Sequence, residues 1–498
     1  MIKQSSSSDW NAHRHRIRQL EAAGRLLDPD ARERDRLLKV THGYAQGLLN
    51  ELSDRLAYGH EKSAASHIRD LPIGEATHRI EALVDLLDEA VVRTGILPAH
   101  PGHVGYIPGG GIYASALADY LADVTNEYVG VWFAGPGAVE IENATLAWMA
   151  DLVGYPVDAA GNLASGGSIA SLIAVVTARE AAALTPADYE GVVIYSTSHG
   201  HHCVEKAVYV AGLGKAVHRQ VALDERYRMV PESLVQLIAA DRAAGLRPWL
   251  ILASAGTTDV GAIDPLAEIA EIARREDLWF HVDAAYGAFF ALVDECRPRL
   301  EGMERSDSIV LDPHKGLFLP YGTGAVLVRD GQKLRDAHGY DAPYLQDMEA
   351  AEENRAPAAL SPELTKHWRG LRVWLPLLLH GVEPFRACLE EKLELARYFY
   401  GEIKKLGFEV GPKPELSVVT FRWVPENGDA NAFNRALVRE IHRDGRIFLS
   451  STMIEGKFTL RLAVLVFRTH LDTIDLMLEL LRDLVVQLEA SAEDWLED

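Results

Sequence analysis

Residues 278–286 read Leu-Trp-Phe-His-Val-Asp-Ala-Ala-Tyr, and this stretch decides the fold. Leu278–Val282 (LWFHV) is a short, nearly unbroken apolar run, the texture of a strand buried on both faces; a strand with one wet face would alternate. The pattern recurs on either side, in Gly191–Thr197 (GVVIYST), Trp249–Ser254 (WLILAS) and Ser308–Leu311 (SIVL). Helical stretches such as Ile169–Ala183 and Pro265–Arg275 lie between them. Strand and helix in alternation predict an α/β domain with a parallel, helix-covered sheet.

The residues immediately after each run carry the chemistry. Gly191–Thr197 leads into Ser198-His199-Gly200-His201-His202, and Trp249–Ser254 into Ala255-Gly256-Thr257-Thr258-Asp259. Leu278–Val282 leads into Asp283-Ala284-Ala285-Tyr286, and Ser308–Leu311 into Asp312-Pro313-His314-Lys315. The carboxyl ends of strands in an open α/β sheet line its ligand crevice, so His, Thr, Asp and Lys are delivered to one edge. Upstream, Ser165-Gly166-Gly167-Ser168 opens into a helix, where small residues and the helix dipole favour an anion. An ordinary turn with an N-cap gives the same letters, and no Lys follows the glycines as a Walker motif requires. His199, His201 and His202 cluster, but no carboxylate or Cys supports them at helical spacing, so no metal site is expected.

A lysine, an acid and an anion cradle suit pyridoxal 5'-phosphate. That cofactor needs a Lys for its Schiff base, an acid to keep its pyridine nitrogen protonated, and a phosphate site. His281–Tyr286 (HVDAAY), Asp312–Lys315 (DPHK), His201–Ala207 (HHCVEKA) and Gly256-Thr257-Thr258 together resemble the group II pyridoxal-phosphate decarboxylases, which include aromatic-L-amino-acid, glutamate and histidine decarboxylases. Matches run from about His100 to Arg468. The resemblance implies the PLP-dependent transferase fold (fold type I): a large domain with a mostly parallel seven-stranded sheet, a small C-terminal α+β domain and an N-terminal helical arm. It implies catalytic roles for Lys315, Tyr344, His201 and Asp283. Lys315 would form the Schiff base, Asp283 would pair with the pyridinium nitrogen, and His201 would stack on the ring. Gly167, Ser168 and His314 would hold the phosphate, with Thr258 and Ala285 completing the cofactor site. Tyr344, in Pro343-Tyr344-Leu345, would act in the partner subunit's active site. Asp312 stands where the family commonly has Asn, Gly316 where aromatic-specific members often have Trp, and Gly109 where they often have Thr.

The expected activity is decarboxylation of an L-amino acid to its amine and carbon dioxide. Residues near Tyr106, Ile107, Trp132 and Phe133, within the subunit or across a dimer, would shape the side-chain pocket. Tyr106, Trp132 and Phe133 would favour a flat, aromatic side chain, while Ile107 and Gly109 alter the cavity. An aldehyde synthase, a carbon–carbon lyase and a non-enzymatic protein on the same scaffold are the alternatives. Tyr344 favours the amine, because aldehyde-forming plant relatives typically carry Phe there. Arg461 reads either as a substrate-carboxylate ligand or as a brace between domains through acidic partners.

The rest of the chain bounds this picture. Its 498 residues exceed one compact core, and 50 Lys+Arg against 72 Asp+Glu give a net charge of −22, which argues against nucleic acid and anionic membranes as partners. Cys203, Cys296 and Cys388 lie far apart, as suits a reducing cytoplasm, and no apolar run reaches membrane-spanning length. The expected division is an N-terminal helical dimerisation segment over 1–112, a large cofactor-binding domain over 113–384 and a small domain over 385–498. In the first, Leu37, Val40, Tyr44, Leu48 and Leu52 share one helical face, as do Ile80, Leu83, Leu87 and Val91, and such faces need an outside surface to cover. A homodimer is expected on that ground and from the family. Residues 334–362, acidic and aperiodic, read as a functional loop. In the small domain the pattern predicts helices over about 385–405, 431–443 and 471–488, and strands at Leu416–Val424, Arg446–Ser450 and Phe458–Val464.

Overall fold

A computed structural model describes residues 7–339 and 356–490. The chain forms two compact units, Met1–Leu97 and Pro98–Asp498. In the first, helices Ser7–Gly24, Ala31–Asn50 and Ile80–Leu87 accompany a two-stranded ribbon of Tyr58–Gly59 and Gly95–Ile96. Asp30 caps the second helix by accepting from Glu33 N at 2.8 Å. Asp88 gathers Arg55, Arg93 and Tyr44 at 2.6, 2.5 and 3.1 Å.

The second unit is built on a seven-stranded sheet: β1 Ala160–Ala164, β2 Val192–Ser196, β3 Val217–Gln220, β4 Arg247–Ser254, β5 Trp279–Asp283, β6 Ser308–Leu311 and β7 Gly324–Val328, in the order β1-β7-β6-β5-β4-β2-β3. Each neighbouring pair from β3 to β6 is parallel; β7 runs antiparallel to both β6 and β1. This is fold type I, as expected. Every residue of β2, β6 and β7 is buried, so the unbroken apolar runs reflect burial on both faces. The register pairs Ser254 with Asp283, Asp283 with Val310, Leu311 with Ala325, and Ala164 with Gly324. One edge of the sheet therefore presents the ends of β4, β5 and β6 side by side, with the start of β7 between β6 and the end of β1.

A four-stranded antiparallel sheet forms the smaller layer: β8 Glu409–Val410, β9 Val418–Arg422, β10 Ser450–Ile454 and β11 Lys457–Ala463, in the order β8-β9-β11-β10. Helices Glu383–Lys405, Ala430–Asp444 and Leu471–Ala490 share its core around Phe399, Phe421, Phe433 and Leu460. The strand expected at Arg446–Ser450 is displaced. Glu455-Gly456, both at positive φ, make a two-residue hairpin turn that fixes β10 at Ser450–Ile454. The buried run before it serves another purpose: Phe448 N donates to Gly102 O at 2.8 Å and Val104 N to Phe448 O at 2.9 Å, pinning the loop that precedes Gly109. The span read as irregular over 334–362 begins in a helix, and its residues 340–355 lie outside the described residues. Gly331–His338 is helical, capped by Asp330 and anchored by buried Leu334. No helix among the described residues is long and apolar enough to cross a membrane.

Candidate active site

Each strand end contributes through the local turn beyond it. After β6, Pro313–Gly316 makes one helical turn, with Pro at a position where a missing N–H costs nothing. That turn stacks Lys315 over Asp312, and Nζ meets Asp312 Oδ2 at 2.9 Å. β5 ends on Asp283, whose Oδ1 accepts from Ala285 N at 3.1 Å and turns the chain away. After β1, Gly166 takes φ 156° and ψ 176°, a region essentially reserved for glycine, and launches α1 (Gly167–Ala181). No side chain caps α1, so the free amides of its first turn face the crevice unclaimed by the helix itself. After β2, His201 caps α2 (His202–Val208), its Nδ1 accepting from Cys203 N at 3.3 Å.

These ends enclose a cavity of about 520 Å³. Gly167, Ser168, His201, Thr258, Asp283, Ala285, His314 and Lys315 all line it, so every described residue expected in the site stands together. Tyr344 lies outside the described residues. Tyr106, Ile107, Trp132 and Phe133 are not in this wall; the rings of Tyr106 and Phe133 stand about half exposed elsewhere. Arg461 is not in it either. Buried, it donates to Asp259 O and Ser450 Oγ at 2.8 Å each and to Thr258 O, bracing the Thr257–Asp259 turn through backbone carbonyls rather than acidic side chains. Gly316 and Gly109 admit no side chain. A Cβ at 316 would stand 2.8 Å from Phe289 Cβ, and one at 109 only 2.2 Å from His314 O.

Electrostatics assign the protons. Burial works against a charged Lys315, but Asp312 and Asp283 outweigh it and hold the ammonium above its usual range. Burial pushes His201 and His314 down, towards neutral rings, despite nearby carboxylates. His314 Nδ1 lies 2.5 Å from Thr323 O, so that nitrogen carries the proton. Burial drives the Cys203 thiol up to about 12, leaving it un-ionised. Two residues not anticipated from sequence complete the rim. Tyr321 lines the cavity, and Arg372 holds its loop by donating to Tyr321 O at 3.0 Å and Thr323 Oγ1 at 2.9 Å. Tyr321 lies in the turn-rich run Pro320–Gly324, which was the available signal; nothing local marks Arg372, which reaches in from a distant helix.

Residues 73–424 match the pyridoxal-dependent decarboxylase conserved domain. The chain belongs to that family. An aromatic-L-amino-acid decarboxylase of Bacillus atrophaeus is 35% identical over 455 residues, 86% of this chain and 92% of that protein. A phenylacetaldehyde synthase of Arabidopsis thaliana is 29% identical over 409 residues, covering 77% and 82%. The crystal structure of Oryza sativa TDC with PLP and tryptamine superposes with a TM-score of 0.87 over 93% of this chain and 99% of that one, at 24% identity, and so shares the fold.

This pyridoxal-dependent decarboxylase is thus a carboxy-lyase acting on an amino acid with pyridoxal phosphate as cofactor, and its cavity fits that group. The volume suits a small cofactor with substrate. The glycine-started helix suits a phosphate, and a primary amine and a carboxylate open into the same space. Asp312 Oδ1 is buried with no hydrogen-bond partner among the described residues, a polar atom of the kind an occupied site satisfies.

Proposed function

We propose that this decarboxylase acts on an aromatic L-amino acid and releases the corresponding amine. One observation carries the assignment of roles: Lys315, Asp283, His201 and the start of α1 open into a single cavity. Bound there, pyridoxal phosphate supplies a sink for the electron pair left when the carboxyl group departs as carbon dioxide. Lys315 holds the cofactor's aldehyde carbon, and Gly167, Ser168 and His314 hold its phosphate. Asp283 keeps a proton on the pyridine nitrogen, because a carboxylate beside that nitrogen favours the charged ring. His201, pushed towards the neutral ring by burial, would stack on the cofactor without competing for that proton. Thr258 and Ala285 complete the wall, and Tyr344 returns a proton to the α-carbon.

The aromatic preference is supported by the Bacillus relative's activity and by Tyr106, Trp132 and Phe133, which would complete the side-chain pocket from a second subunit. A homodimer is part of the proposal. Tyr113, Leu117, Tyr120, Leu121 and Val124 form one apolar stripe on helix Tyr113–Thr125 and are all exposed, an area a second copy would cover. Three free cysteines support a cytoplasmic location. The phenylacetaldehyde synthase relative favours a second reading, in which oxygen intercepts the carbanion and an aldehyde forms.

Carbon dioxide release from each of the twenty amino acids tests the substrate, with peroxide and ammonia assayed beside it to separate amine from aldehyde. Lys315→Ala should lower turnover by at least about 1,000-fold, and visible absorbance of the protein should lose its lysine-linked band. Normal turnover in that variant would overturn the role given to Lys315.

A further inference from the structure

Asp312 lines the site and has no assigned task. It is 2% exposed, its Oδ2 lies 2.9 Å from Lys315 Nζ, and its Oδ1 has no hydrogen-bond partner among the described residues. The carboxylate is wedged against the anion cradle. A Cβ at Gly167 would stand 2.9 Å from Oδ2, and one at Gly324 would stand 2.7 Å from Oδ1 and 2.5 Å from the Gly166 carbonyl carbon. One acid thus lies against both the reacting amine and Gly167, the glycine expected to hold a phosphate.

We propose that Asp312 is the proton acceptor of Lys315: on cofactor loading its carboxylate takes a proton from the Nζ ammonium, leaving a neutral amine and a neutral acid. This rests on the reading of Lys315 as the cofactor lysine. The transfer balances within the pair, ammonium and carboxylate becoming amine and carboxylic acid, with no outside base. It is needed because an ammonium has no lone pair with which to attack a carbonyl carbon. The groups facing Lys315 are Asp312, Asp283, Cys203, His201, His314 and Tyr321. Cys203 and Tyr321 already carry their protons, since burial raises both. His201 and His314 turn their Nδ1 atoms to Cys203 N and Thr323 O, and neither is paired with Nζ among the described residues. Asp283 is committed to the ring nitrogen, and of the two acids Asp312 is the one in hydrogen-bond contact with Nζ. A phosphate held at Gly167 would favour the same outcome, because two anions close together repel whereas a neutral acid near a phosphate does not. Asp where the family commonly has Asn is then a functional difference.

The test is reconstitution of the apoprotein with pyridoxal phosphate, followed by absorbance from pH 7 to pH 9, then borohydride reduction and mapping of the labelled peptide. A proton shared inside the pair makes the wild-type rate nearly independent of pH, changing less than about twofold. In Asp312→Asn the proton must leave to solvent, so the rate should rise by close to the limiting factor of about tenfold per pH unit. Asp312→Ser gives the same readout if the first variant does not fold. A wild-type rate that climbs about tenfold per unit, or identical profiles in wild type and variant, would overturn the proposal. A label on another lysine would instead overturn the reading of Lys315.

Discussion

At Gly167 an added methyl group would stand 2.9 Å from Asp312 Oδ2 and 3.3 Å from Oδ1, closer than side-chain carbon comes to oxygen without something moving. The oxygen that would have to move is the one that holds Lys315, at 2.9 Å. Gly167→Ala therefore acts twice, by narrowing the approach of an anion to the first turn of α1 and by disturbing the charge that orients the lysine. Overpacking of this kind costs about 1–3 kcal/mol. We expect cofactor affinity to fall by at least about tenfold, equivalent to about 1.4 kcal/mol, in a fluorescence titration of the apoprotein. Unchanged affinity would show that the cradle has slack that the packing around Asp312 does not suggest. Ser168→Ala, which adds no volume, should cost less.

The Thr257–Asp259 turn sits between the two sheets and depends on Arg461 of β11, whose guanidinium serves Thr258 O, Asp259 O and Ser450 Oγ together. Ser450 Oγ also accepts from Tyr106 N at 3.1 Å. Arg461→Ala strands one buried and two part-buried acceptors, and we expect a loss of about 2–4 kcal/mol in urea unfolding. Arg461→Lys should recover less than half, because one ammonium cannot span the fork. A loss below about 0.5 kcal/mol in the alanine variant would mean that water replaces the brace. No local pattern could have chosen between the two readings of Arg461, since its partners lie some two hundred positions away. The strand ends differ. Asp283, Lys315 and His201 were legible because each comes just after a run whose burial on both faces shows in its letters. β1 (AGNLA) and β3 (VHRQ) were not legible. The first spends its polar residue, Asn162, on buried Lys366 at 3.1 Å, and the second is an edge strand that is half wet. Arg372 escaped for the same reason as Arg461: its role exists only once the chain has folded.

Across the whole molecule, two histidines tie folding to pH. His281 is fully enclosed in β5. His281 Nδ1 shares a 2.8 Å hydrogen bond with Ser308 Oγ, which also accepts from Trp279 Nε1 at 2.9 Å, and Nε2 is buried with no partner among the described residues. A second proton would put a charge in this enclosed position, and burial pushes the group down to about 4. His103, which sits within the pinned loop and leans on Phe448, is pushed down to about 4 by the same cause. Both values lie below the unfolded value of about 6.5, so the unfolded chain binds protons first as the pH falls. The stability these neutral rings contribute is complete above about pH 6.5 and is lost progressively as the pH drops towards 4. A shift of this size is worth up to about 3 kcal/mol for each ring. Urea midpoints measured from pH 7 to pH 4.5 should therefore fall, and His281→Gln, which keeps a hydrogen bond to Ser308 but cannot titrate, should fall less steeply. The comparison of slopes matters more than either curve, because carboxylates held by arginines add their own acid loss to both proteins equally. If wild type and His281→Gln lose stability in parallel over that interval, the buried imidazole is not the group that titrates.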